Sequence, residues 1–525
     1  MPTRVLQQDD IKVRISPLET QSAALQASPE RVLEAASVRD VLGDTRHRLV
    51  SFNVVEADEG QVGDEQAAET FKATVYDYDN RRTVVATGTV DDPSGADVVE
   101  SAVQPQPDEE ELSEAIERLR ADDEVGAKIA AGDLLPYQAM PPLLNKTRPD
   151  GTVERTVNVG LYAPEGDEVR HRFAAVNLVT GAVEHAPAGA PAHSHNDCGL
   201  PSRDGCALGR RSGAVRVRVS QGDEQLWDLL VARPRISSGL NGSGVELKDV
   251  KFRGMRLLRR AHVPILNVEY DRSVDLEGCG PTYRDWQNEE ACFVAQGQDV
   301  QPGYRACPSP ARTIFDAGTD RGNFRGVAFY IRSRQLFIVS ELSAGWYRYV
   351  SEWRLALTGM IRPRFGFNGV RNPCTCKPHH HHAYWRFGFD IDGKPSTVQE
   401  FNEPALEGNT GNWHTIVQET RRTKRPARQR KWRIRNSDGK GYVLVPGDND
   451  GTADEFGVGD LWVLRRRAGE IDDGPGPNRA RIGSFVNGQR VDGQALAVWY
   501  AGHFEHTPGP DRDHIVGPQL NPIDL

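Results

Sequence analysis

Apolar and polar residues alternate along Ala383-Tyr384-Trp385-Arg386-Phe387-Gly388-Phe389-Asp390-Ile391. A period of two predicts a β-strand with one face in a core. Ala383, Trp385, Phe387, Phe389 and Ile391 share the apolar face. Four histidines, His379-His380-His381-His382, run into this strand, and the alternation sorts them. His379 and His381 join the apolar face. His380 and His382 fall with Tyr384, Arg386 and Asp390 on the other. A second strand is predicted from Leu496 to His506, where Leu496, Val498, Tyr500, Phe504 and His506 share one parity and His503 the opposite one.

Upstream the pattern changes character. Residues 1–30 read as a weakly ordered arm. Ser28 and Pro29 suit the N-cap and first position of a short helix running to Ala36. Strands are predicted at His47–Val55, Phe71–Tyr78 and Arg82–Gly88. A second helix begins at Pro107, with Asp108, Glu109, Glu110 and Glu111 in its first turn, where the helix dipole favours acids. Strands return at Thr152–Leu161 and His171–Val179. A unit of helix plus sheet therefore recurs, over 31–105 and 106–187. Gly, Pro, Ser and His dominate 188–212, which reads as a linker. From 213 to 525 short strands and turns follow one another, among them Val215–Ser220, Gln225–Val231, Val245–Phe252 and His262–Tyr270. The predicted fold class is α+β, mainly β: two small α+β domains and then a large antiparallel β-sandwich.

Composition narrows the partners. At 525 residues, with 51 glycines and 33 prolines, the chain expects several domains and many turns. A formal net charge of −10 argues against a nucleic-acid or membrane partner. The basic run Arg421–Lys431 reads as a solvated loop. The N-terminus carries no apolar leader and no segment reaches transmembrane length, so the expected location is cytoplasmic. Seven cysteines, an odd number, argue against a disulfide framework; Cys198 and Cys206 would pair only in an oxidising compartment.

The chemistry lies in the histidines. Two imidazoles at i and i+2, facing a core, make half a metal site, and parity selects His506 as the third ligand. Copper and zinc accept such nitrogen donors. Cys374 and Cys376, just upstream, offer thiolates as an alternative. His193 and His195 lie in the linker and read as loop residues.

These segments, in this order, resemble the copper-containing, quinone-dependent amine oxidases. The resemblance rests on His379-x-His381 leading to Asp390-Ile391-Asp392-Gly393, and on Val498-Trp499-Tyr500 followed by His506 and Pro508. It rests also on Arg332–Ile338 running without a gap to Gly345-Trp346-Tyr347-Arg348-Tyr349, and on Trp286-Gln287-Asn288, Gly441–Pro446 and Asp460–Val463. It covers 213–525. It implies copper(II) on His379, His381 and His506, with Tyr347 as precursor of topaquinone. It implies oxidation of a small primary amine by O2 to aldehyde, ammonia and hydrogen peroxide, in a homodimer. The chain also departs from the family. Trp346 stands where the family has Asn, and Arg348 where it has an acid; Arg348 would stabilise an anionic quinone and repel an ammonium substrate. Ala291 falls where the proton-abstracting Asp is expected, leaving Glu290 or Glu289, with Asp285 a further candidate. Gly388 and Ala495 replace acids of the family's second cation site, of which only Asp390 remains. Two functions stay open: an amine oxidase, or a copper-binding relative without turnover that acts as a binding protein.

Overall fold

The strands predicted beyond residue 213 assemble into two large, mainly antiparallel sheets packed face to face. In a computed structural model, residues 2–525 are described except 19–29, 56–69, 90–91, 102–103, 164–170, 186–197, 201–205, 207–211, 270–281, 319, 372, 377, 409, 468, 475–478 and 507–513. The first sheet has eleven strands and the second twelve. In the first, Met255–Glu269, His379–Phe389, Leu496–His506 and Leu461–Arg465 lie side by side. In the second, Gln335–Ala344, Tyr347–Ala356 and Ile361–Gly369 do the same. Apolar residues on the inner faces of both sheets form one continuous core, to which Trp353, Phe367, Trp385, Phe387 and Tyr500 belong. Alternation along each strand puts these residues inward, as expected for aligned sheets.

Two smaller units of helix and sheet precede the sandwich. The helix Ala36–Leu42 packs Val38 and Leu42 on the four-stranded sheet His47–Val55, Thr70–Asp77, Arg82–Thr89, Asp97–Ser101. The helix Glu109–Arg120 covers a second four-stranded sheet, Leu135–Thr147, Val153–Tyr162, His171–Asn177, Val183–His185. Asp108 caps that helix in a capping box with Glu111. The acids of its first turn thus do more than oppose the dipole: Glu111 is buried and binds Arg155 and Tyr78. The mostly β architecture agrees with the class read from the sequence. Among the described residues no helix is long and apolar enough to cross a membrane.

Three readings need amendment. Residues 1–30 are not simply an arm: Arg4–Gln8 and Ile11–Pro17 form a hairpin, and its second strand pairs with Val215–Gln221. Ile11, Val13 and Ile15 alternate with Lys12 and Arg14 and enter the sandwich core, a period-two signal only five residues long. Ser28 and Pro29 lie outside the described residues. Within the span read as a linker, Leu200 pairs with the backbone of Gly369 and Arg371, so this point is fastened to the sandwich; His193 and His195 lie outside the described residues. The strand Leu135–Thr147 was not foreseen, because Pro136, Pro141 and Pro142 weaken its signal. Its register shifts between Gln138 and Leu143, around two of those prolines.

Ile15 is wholly buried between the partners Arg4 and Val217. Ile15→Ala is expected to destabilise the sandwich by about 2–5 kcal/mol, read as a lower urea midpoint. An unchanged midpoint would restore the weakly ordered arm.

Candidate metal centre

Register builds the cluster. His379 sits directly opposite His506 in the antiparallel ladder, and His381 opposite Phe504. Residues facing each other in such a ladder share a face, so His379, His381 and His506 all point toward the second sheet. From that sheet comes Tyr347. It opens its strand after the two-residue turn Gly345-Trp346, where Gly345 has a φ of 56°, a conformation glycine adopts without strain. The Tyr347 hydroxyl contacts His379 Nε2 and lies 3.4 Å from His506 Nδ1. Those two nitrogens are 3.1 Å apart. The Tyr347 ring lies 4.8 Å from that of His381, edge to face. All four side chains are buried. The structure therefore brings together His379, His381, His506 and Tyr347.

His381 is held by aromatic packing and by a hydrogen-bonding neighbour. Its ring stacks on Phe367 at 3.8 Å and on Phe504 at 5.6 Å. Its Nδ1 lies 3.0 Å from the Tyr349 hydroxyl, which donates to Asp285 Oδ2. Tyr349 and Phe367 thus join the site beyond the residues the sequence motifs point to. Tyr349 was legible in principle: it lies two positions from Tyr347 on one strand and so shares its face.

His380, His382 and His503 occupy the reverse face of the same strands, as parity requires. His382 Nδ1 and His503 Nδ1 are 2.7 Å apart. Burial, then the neighbouring His503, lowers His382 to about 3, which keeps its ring neutral at ordinary pH. His503 Nε2 meets the Gly459 carbonyl at 3.1 Å, and His380 Nδ1 meets Asp454 Oδ2 at 3.1 Å. Gly457 is required beside them, since a Cβ there would fall 2.4 Å from His382 Nδ1.

The carboxylates weighed as proton acceptors separate clearly. Glu290 is buried and both its oxygens bind the Arg233 guanidinium, with a further bond from the Arg235 amide. Glu289 accepts from Trp286 Nε1, and burial pushes it up to about 7. Asp285 is fully buried, which pushes it up to about 7 against the opposing Tyr349 bond. Of the three, Asp285 is tied to the histidine cluster, through Tyr349. Ala291 is wholly buried, its amide bonded to the Glu341 carbonyl.

Arg348 differs from its expected effect. It forms a bidentate pair with buried Asp320, at 3.0 and 2.8 Å, and reaches back to the carbonyls of Gly345 and Tyr347. Its charge is therefore neutralised locally, and it braces the turn that presents Tyr347. Asp390 is held by Arg259 and Arg256 at 2.7 and 3.4 Å.

The cysteine reading is corrected. Cys198 is bonded to Cys376, and Cys206 to Cys292, across separations of 178 and 86 residues that no local spacing reveals. Cys376 is thus no thiolate ligand. Cys307 is free and buried, and burial pushes its thiol up to about 12.

Three nitrogens and a phenol suit copper or zinc as a donor set. Two ligands bound at about 2 Å and near a right angle would stand ~3 Å apart, which matches His379 Nε2 and His506 Nδ1. Among the described residues, however, no group of three or more His, Cys, Asp or Glu side chains is already drawn up to enclose an ion. Tyr347 touches the two nitrogens that would bind it.

No protein-family model matches the sequence, and no curated protein matches it. Solved structures do. A copper-containing benzylamine oxidase from Hansenula polymorpha superposes with a TM-score of 0.61, at 13% identity over 94% of this chain and 96% of that one. An amine oxidase from Aspergillus nidulans gives 0.56, at 13% identity over 96% and 87%. The lysyl oxidase of Pichia pastoris gives 0.57, at 10% identity over 95% and 88%. At these identities the likeness establishes a shared fold.

Glu290→Ala is expected to destabilise the protein by about 3–5 kcal/mol, because it strands the buried Arg233 guanidinium. An unchanged denaturation midpoint would show that the pair is not structural. Asp285 makes a further test. Its ordinary value is 3.8 and its folded value about 7, so between them the native state binds the extra proton. Its contribution to stability is therefore present at low pH and lost as pH rises through that window. Asp285→Asn should flatten this slope in denaturation midpoints measured across it; an identical slope would contradict the burial argument.

Proposed function

We propose that this protein is a copper-dependent oxidase of small primary amines, in which His379, His381 and His506 hold one copper(II) and Tyr347 supplies a topaquinone cofactor. The products are aldehyde, ammonia and hydrogen peroxide. The observation that carries the reading is the contact of the buried Tyr347 hydroxyl with both His379 and His506, on a fold shared with amine oxidases. Bound copper would supply the redox chemistry with O2 that converts the tyrosine and reoxidises the cofactor. The chain's own residues do the rest. Phe367 and Phe504 keep water from His381, and the Arg348–Asp320 pair fixes the turn before Tyr347. Glu290 is engaged by Arg233, which favours Asp285 or Glu289 over it as proton acceptor. The resemblance also carries a homodimer. Two disulfides favour an oxidising compartment over the cytoplasm.

A second reading is a copper-binding relative without turnover. It is favoured by Trp346, wholly buried in the turn beside Tyr347, and by Ala291, which leaves no carboxylate at the expected base position.

Copper loading under air separates the two. The oxidase reading expects a visible quinone band that titrates with phenylhydrazine and disappears in Tyr347→Phe. Metal content should fall from about one copper per chain to near zero in His381→Ala, and stay near wild type in His380→Ala/His382→Ala. Copper without colour, unrestored by Trp346→Asn/Ala291→Asp, would establish the binding relative. Arg348 is left in place, since an acid there would face Asp320. Equal metal content in wild type and His381→Ala would overturn both readings.

A further inference from the structure

We infer that Tyr349 and Asp285 act as positioning residues that decide which ring nitrogen of His381 is offered to the metal. The inference deepens the copper reading and rests on it. The hydrogen-bond order at Tyr349 follows from an ionised Asp285. The one hydroxyl proton is then donated to Asp285 Oδ2, so only oxygen lone pairs remain for His381 Nδ1 at 3.0 Å. His381 Nδ1 must then carry the hydrogen, which makes Nε2 the lone-pair nitrogen. Only that nitrogen can ligate a metal.

Packing holds this arrangement. Phe367 stacks on the His381 ring at 3.8 Å with an interplanar angle of 22°, and Phe504 backs Phe367 at 5.1 Å. A ring flip would put the Cδ2–H where Nδ1 now meets the Tyr349 oxygen, losing a buried hydrogen bond. Tyr349 itself stacks on Phe365 at 5.6 Å. Asp285, Tyr349 and His381 are all wholly buried. No solvent competes for any link of the chain, which strengthens each bond. Asp285 is anchored by its own amide, which donates 2.9 Å to the Leu266 carbonyl on the strand next to the histidine strand. The relay thus runs from one sheet, through a tyrosine of the other, and back to the histidine.

Tyr349→Phe tests this with little change in packing, since only the hydroxyl is removed. Copper(II) affinity is measured by competition with a chelator in wild type, Tyr349→Phe and Asp285→Asn. Spin-echo spectra of the copper-loaded proteins report the quadrupole coupling of each remote imidazole nitrogen. Losing a hydrogen-bond partner behind a ligating histidine weakens metal affinity by about 10–100-fold, and Tyr349→Phe is expected in that range. Its spectrum should show one remote nitrogen with altered coupling, a change that loosened packing alone would not confine to one imidazole. Should Tyr349→Phe fail to fold, Asp285→Asn carries the test, with the same single altered nitrogen. Affinity within twofold of wild type and unaltered couplings would overturn the inference while leaving the copper site standing. Wild-type protein that takes up no copper would overturn the copper reading and this inference with it.

Discussion

The register between His379–Phe389 and Leu496–His506 is the constraint on which the rest depends. Slipping that ladder by one residue would carry His506 to the outer face and bring His503 inward. The core enforces the register, because Val498 and Tyr500 would move outward in the same slip. The second sheet supplies the other half of the centre. Tyr347, Tyr349 and Phe367 reach the histidines only because the two layers pack inner face to inner face. The centre is thus a property of the sandwich, and neither sheet alone contains it.

Charge is handled in the same way around it. Arg348 and Asp320 are buried together, as are Arg233 and Glu290. Burying either partner alone would cost several kcal/mol, roughly 3–5 on removal of one member. Each pair holds backbone as well. Arg348 reaches the carbonyls of the turn before Tyr347, and Glu290 accepts from the Arg235 amide. Arg348, which looks from the sequence like an altered catalytic group, is therefore part of the scaffold that presents Tyr347. On the reverse face, His380 Nδ1 meets Asp454, His382 and His503 meet through their Nδ1 atoms, and His503 Nε2 meets the Gly459 carbonyl.

The parity of side chains was the most legible feature of this chain. It selected His379, His381 and His506 over three near neighbours of the same type, and the structure brings the selected three together with Tyr347. The mainly β class was legible for the same reason, since alternation survives in strands buried on one face. What was illegible was long-range or locally weak. The disulfides join cysteines with no common local pattern. The Ile11–Pro17 strand is short, and prolines masked Leu135–Thr147. Arg348 reads from the sequence as a charge acting on quinone and substrate, because nothing local reveals Asp320 as its partner. Glu290 looked available because Arg233 lies 57 residues away in sequence.

X-ray absorption at the copper edge on the loaded wild-type protein tests the central claim most directly. The account predicts imidazole scattering from three histidines, with nitrogen or oxygen neighbours at about 2.0 Å and no sulfur, and loss of one imidazole in His506→Ala. A sulfur shell, or a spectrum unchanged by His506→Ala, would contradict it.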